Sequence, residues 1–172
     1  MKHSMRSSAI GSVLAVSAAL VALVVAPTAA ANKPMREIIP APDDRLITDQ
    51  CPFPVLGHIE GSEIDTTFTD RAGTPVKLIG VFPGNTLTLT NLDTRTSVTV
   101  GATGSFQLRL NPDGSGAAMV TGQGVWLSNP VTGEPGIWHQ SGRVSATLDA
   151  EGNATSVKST GRLVDLCPQL AA

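Results

Sequence analysis

Four side chains, His58, Glu60, Glu63 and Asp65, carry the donor types that hold divalent cations. Imidazole nitrogen and carboxylate oxygen at alternate positions of a strand share one face and could ligate such an ion. The spacing from Glu60 to Glu63 breaks the alternation. All four therefore meet on one face only if one extra residue is accommodated beside Gly61, as in a β-bulge. The competing reading is a solvated outer face with a titratable residue on it, and no second ligand cluster supports a metal site. No metal or other cofactor is expected.

His139 and Ser141 are the other pair with catalytic residue types. Alternate residues of a strand point the same way but stand about 7 Å apart, too far for a nucleophile to give its proton to a base. The chain contains no G-x-S-x-G, H-E-x-x-H, P-loop or C-x-x-C pattern. Its only cysteines, Cys51 and Cys167, are expected to pair with each other, which removes both as nucleophiles. The function expected is therefore non-catalytic. An isomerase-like barrel enzyme stays open as an alternative, because motif patterns would miss one.

The two tryptophans suggest binding. An antiparallel pairing that sets Trp126 opposite Trp138 also sets Gly122 opposite Gly142, Val120 opposite Val144 and Ala118 opposite Ala146. Two facing glycines below two indoles would leave volume for a small apolar ligand, with the loop 129–136 as its lid. In the alternative, the indoles fill the space over the glycines and the core is dry. Val125, Leu127 and Ile137 lie on the opposite face of the same hairpin and are also apolar. They are expected to be covered by a loop or to form a self-association patch.

These residues need a β scaffold, and composition agrees. There are four Phe, two Trp and no Tyr, with 17 Gly, so the core must be built from Val, Leu, Ile and Ala. Seven basic residues (Arg71, Lys77, Arg95, Arg109, Arg143, Lys158, Arg162) and ten acidic ones lie between the cysteines, a net charge of −3. No basic stripe with interleaved aromatics runs along the chain, which argues against nucleic acid and anionic membrane surfaces as partners.

Alternating apolar positions and Gly, Pro and Asp-Gly turns predict eight strands, over 53–68, 76–81, 86–90, 96–100, 106–110, 117–127, 137–148 and 155–166. No segment has helical periodicity. The expected architecture is an all-β, antiparallel up-and-down meander closed into a barrel, with a two-sheet sandwich as the alternative. A Cys51–Cys167 disulfide would clasp the first strand to the last.

Lys2, His3 and Arg6, the apolar run Ala9 to Ala26 and the small residues Ala29 and Ala31 read as a signal peptide over residues 1–31, with cleavage before Asn32. Retention as an anchor is the alternative, since the run reaches the lower limit of a membrane span. Residues 32–50, with Pro34, Pro40 and Pro42, read as an extended lead-in; 51–168 is the domain and 169–172 a tail. Asn153-Ala154-Thr155 matches a glycosylation sequon, which matters only in a host that glycosylates secreted chains.

The signal, the CPFPV segment, the hairpins LTNLDTRTSVTV and NPDGSG and the closing GRLVDLC resemble the small uncharacterised secreted proteins of actinobacteria. The resemblance covers Cys51 to Cys167 and implies a secreted scaffold with no activity attached. The expected function is a secreted domain binding a small apolar ligand near Trp126 and Trp138. The alternative is a structural or protein-interaction module of the cell envelope without a cavity.

Overall fold

The computed structural model describes residues 32–41 and 44–172; the expected signal peptide lies outside the described residues. The chain is all-β and antiparallel, and its strands form two sheets. Seven of the expected strands are present as β5 (Pro75–Phe82), β6 (Thr86–Asn91), β7 (Ser97–Gly101), β8 (Gly104–Leu110), β9 (Gly116–Ser128), β10 (Pro135–Leu148) and β11 (Ala154–Asp165). The first expected strand is divided at Gly61 into β3 (Val55–Glu60) and β4 (Ser62–Thr69). The lead-in adds β1 (Met35–Pro40), which pairs with β4, and β2 (Arg45–Ile47), which pairs with β3.

The larger sheet has the order β1-β4-β5-β8-β9-β10-β11, and the smaller has the order β2-β3-β6-β7. This differs from a simple meander, because the β6–β7 hairpin leaves the larger sheet and β5 pairs directly with β8. Neither ladder returns on itself, so the arrangement fits the two-sheet alternative.

Three of the four crossings between the sheets, all but β1–β2, meet at Asn85, which is buried. At the β3–β4 crossing, its side-chain oxygen accepts the Ser62 N–H at 3.1 Å. At the β7–β8 crossing, its carbonyl accepts the Ala102 N–H at 2.8 Å and the Thr103 hydroxyl at 3.3 Å. Asn85 itself lies in the β5–β6 link. Gly61 has φ 127°, and a Cβ there would run into the Asn85 side chain. The change of phase at Gly61 is thus a change of sheet, not the expected bulge within one strand.

The core lies where the smaller sheet packs on one end of the larger. Val55, Leu89, Ile137 and Leu170 are fully buried there, beside Ile47, Leu166 and the two cysteines. Cys51 and Cys167 are disulfide-bonded with Cα atoms 5.5 Å apart, as expected. Cys167–Leu170 form a short helix, α1, with Pro168 in its first turn, where the missing N–H is not needed. Its Leu170 carbonyl accepts from the buried Asn91 side chain at 3.0 Å, so the expected tail is docked on β6. Among the described residues no helix is long and apolar enough to cross a membrane.

Candidate functional site

A half-open cleft of about 410 Å³ lies on one face of the larger sheet. Alternation along the strands brings Phe106 of β8, Val120 of β9 and Val144 of β10 into one row across it, and Ala118 and Ala146 into the next. Trp126 closes one end, and Asn129, Pro130 and Gly133 of the β9–β10 loop complete the wall. None of the lining side chains is charged.

The lid is preformed. Asn129 is buried, and its side-chain oxygen accepts the N–H groups of Val131 at 2.9 Å and Thr132 at 3.2 Å, an Asx turn. Backbone bonds from Asn129 to the Glu134 carbonyl and from Gly133 to the Asn129 carbonyl close the loop. Trp126 is held as firmly: its indole N–H donates to the Gln140 side-chain oxygen at 2.8 Å. Gln140 is itself buried and donates to the Gly142 carbonyl at 3.2 Å. With its polar edge satisfied inside the protein, Trp126 leaves apolar ring surface for the cleft.

The structure has the register expected for this hairpin: Trp126 opposes Trp138, Gly122 opposes Gly142, Val120 opposes Val144 and Ala118 opposes Ala146. The cleft uses only part of that set. Trp138 lies outside the lining, packed over Gly136, where a Cβ would stand 2.7 Å from the indole nitrogen. Gly122 and Gly142 also lie outside it. They belong to a row that runs Gly104, Gly122, Gly142, Gly161 across four strands. Gly122, Gly142 and Gly161 have φ of 95°, 133° and 116°, and Cβ atoms on them would strike the backbone of the neighbouring strand. Their lack of a side chain allows the sheet to bend and the backbones to approach; it does not create the volume.

Val125, Leu127 and Ile137 are internal. Ile137 is fully buried, and Val125 and Leu127 pack on the core cluster. The apolar character of this second hairpin face therefore reflects burial against the smaller sheet.

The four metal-donor candidates are separated by the sheet change. His58 and Glu60 are on β3, and Glu63 and Asp65 on β4. Among the described residues no group of three or more His, Cys, Asp or Glu is placed to hold a metal ion. His58 Nδ1 instead lies 2.5 Å from an Asp44 carboxylate oxygen, with Glu60 at 3.8 Å from Nε2. The hydrogen bond to Asp44, and then its charge, raise the His58 pKa. Glu63 is also shifted upward, first by burial and then by the hydrogen bond and charge of Asp65. His139 Nε2 contacts the Gly101 carbonyl at 3.2 Å, so its partner is backbone.

No protein-family model matches the chain, and no match is found among curated proteins or solved structures. The chemistry of the cleft must therefore be read from its own residues. It offers a shaped apolar surface with Ser128 and Asn129 as polar groups at the lid end and no acid–base pair. Sequence reasoning missed Phe106 and Val157, which reach the cleft from β8 and β11. Both fall within expected strands, and only strand order brings them beside Trp126.

Proposed function

We propose that the chain is exported, with residues 1–31 as its signal peptide, and that the mature domain holds a small apolar ligand in the cleft beside Trp126 without acting on it chemically. The observation that carries this reading is the 410 Å³ cleft, apolar, uncharged and bounded by a preformed loop. That volume falls within the range of small-molecule sites. The disulfide supports export, because such bonds persist in oxidising compartments. A closed barrel is not required, since one face of the larger sheet supplies the walls.

The test is a titration of the oxidised protein with the neutral lipophilic fluorophore N-phenyl-1-naphthylamine, read by its emission and by tryptophan quenching. Saturable binding that is lost on filling the cleft with Ala146→Phe, at unchanged melting temperature, is expected. No saturable signal, or equal binding by the filled variant, would overturn the reading.

The envelope-module alternative is favoured by one feature, the outer strand β1. All six of its residues are exposed, including Met35 at 70% and Ile38 at 67%. A free strand edge with apolar side chains is a template for pairing with another strand. Concentration-dependent association abolished by Ile38→Lys would support that reading over a solitary ligand carrier.

A further inference from the structure

The face of the larger sheet opposite the cleft gathers positive charge that the linear sequence disperses. Lys77 of β5 opposes Arg109 of β8 in the ladder. The same row continues through Ala117, Thr147 and Ser156. The adjacent row places Gln107, Met119, Ser145 and Lys158 side by side, and the row beyond it Ser105, Thr121, Arg143 and Thr160. Because side chains two apart on a strand share a face, Lys77, Arg109, Arg143 and Lys158 all project from this side. They are four of the seven basic residues between the cysteines. No Asp or Glu of β4, β5, β8, β9, β10 or β11 shares that face.

A hollow of about 390 Å³ sits among them, lined by Arg109, Arg143 and Lys158 together with the hydroxyls of Ser145, Thr147 and Ser156. Arg109, Arg143 and Lys158 are exposed. Among the described residues, the only ion pairs are those of His58 with Asp44 and Glu60, so no carboxylate neutralises this group. The turns at the end of the sheet hold four acids, of which Glu151 is exposed and the other three are engaged locally. Asp70 accepts the Ala72 and Thr74 N–H groups, Asp113 accepts from Ser115, and Asp149 accepts the Glu151 and Asn153 N–H groups.

We infer that this face is a binding surface for a linear anionic polysaccharide, a second site on the other side of the sheet from the apolar cleft, with Ala118, Met119 and Ala146 in the wall between them. Charge complementarity sets the sign of the ligand. The alternation of guanidinium, ammonium and hydroxyl groups fits a polymer that carries sulfate or carboxylate groups among sugar hydroxyls, with Arg able to take an anionic group through two parallel hydrogen bonds. Strands spaced about 4.8 Å apart spread the cations over roughly 19 Å from β5 to β11, the reach of a chain rather than of a single small anion. No aromatic side chain lines the hollow to stack a base, which disfavours single-stranded nucleic acid. Its apolar lining is limited to alanines and Met119, giving no wedge for a bilayer.

The experiment measures binding of the full oxidised protein to dextran sulfate, with neutral dextran, a thymidine oligonucleotide and phosphatidylglycerol vesicles in parallel at matched ionic strength. Binding to dextran sulfate that weakens with salt is expected, without binding to neutral dextran. The triple variant Arg109→Gln/Arg143→Gln/Lys158→Gln should weaken it by about tenfold or more, since three charge-assisted contacts are lost. The pair Arg45→Gln/Arg95→Gln, on β2 and in the β6–β7 turn, should leave it unchanged. Melting temperatures of both variants report whether the fold is intact. Absence of dextran sulfate binding, equal loss in the two variants, or tighter binding to the oligonucleotide or vesicles would each overturn the inference. Naphthylamine binding in the cleft should not respond to the triple variant, which separates failure of this site from failure of the cleft.

Discussion

The two ends of the β9–β10–β11 sheet, on either side of the glycine row, use opposite faces for burial. Beyond the row, toward the β9–β10 loop, Val125, Leu127 and Ile137 pack against the smaller sheet and the fully buried Leu89. Before it, toward the β10–β11 turn, the apolar set is Ala118, Val120, Val144 and Ala146. It faces the other way, onto the cleft, and only Val144 of the four is buried. One end is a closed core and the other an apolar surface that is only partly covered. A sheet can carry both if the apolar phase changes along each strand, and in β9 the change falls between Val120 and Val125, across Gly122. The end that is closed holds the fold together, and the end that is open is available to a ligand.

The largest expected effect tests whether the closed end carries the stability. Removing the clasp with Cys51→Ala/Cys167→Ala should lower unfolding free energy by about 4 to 5 kcal/mol in the chain-entropy view, given its long loop. Chemical denaturation of wild type and variant measures the difference. A loss below about 1 kcal/mol would mean that α1 and the core hold the ends together without the bond.

Truncations on the two sides of the glycine row should then differ. Ile137→Ala empties a fully buried site and should cost about 3 to 4 kcal/mol. Val120→Ala acts on a half-buried wall and should cost about 1 kcal/mol while altering naphthylamine affinity. Equal costs would show that the cleft end is as closed as the core in solution, and would remove the basis for the ligand site.

The glycine row gives a smaller but sharper contrast within single strands. Gly142→Ala forces a side chain onto φ 133° and into the Thr160 backbone, and should destabilise by about 2 to 3 kcal/mol. Gly124→Ala, two residues beyond Gly122 on β9, meets only Val120 Cγ1 at 3.9 Å and should be neutral or stabilising by up to about 1 kcal/mol. If both substitutions were tolerated, the bend at the row would not depend on glycine.

Much of this was legible in the residues. Alternation located the strands because its period is local, and matching apolar phases narrowed the pairing of β9 with β10 to a few registers, of which the one setting Trp126 opposite Trp138 is observed. The cysteine pair was recoverable from an even count in a chain whose first residues read as an export signal. What could not be read was which strands are neighbours. Nothing near Asn85 announces that three sheet crossings meet there, and without them β5 has no reason to pass over β6 and pair with β8. The same gap hid the site. Phe106 and Val157 join Trp126 only through that strand order, and Lys77, Arg109, Arg143 and Lys158, far apart in the chain, share a face only because their strands are paired. The lead-in concealed β1 and β2 for a related reason: prolines suggest an extended segment, and whether it finds a strand to pair with is not a local property.

The last contrast lies between the two carboxylates of β4 and the exposed His58 pair, and it is read by pH. Glu63 and Asp65 stand on the cleft face of the sheet at Gly80, whose added Cβ would meet Glu63 Oε1 at 2.7 Å and Asp65 Oδ1 at 3.0 Å. Burial, and then the hydrogen bond and charge of Asp65, raise the Glu63 pKa above its ordinary 4.5. A raised carboxyl pKa means that the folded protein holds this proton more tightly than the unfolded chain does. The stabilisation it provides is therefore complete below the unfolded pKa and is lost as pH rises through the folded value. Glu63→Gln, which keeps the hydrogen-bond donor and removes the charge, should lack that loss. Denaturation midpoints of the two proteins, compared from pH 4 to 7, should diverge in favour of the variant as pH rises. For His58, raised by the hydrogen bond to Asp44 and then by its charge, the sign with pH is the same, but its exposure to solvent leaves less to lose. His58→Gln should therefore show the smaller pH-dependent difference. Parallel curves for Glu63→Gln and wild type would show that the β4 carboxyls do not share a proton in solution.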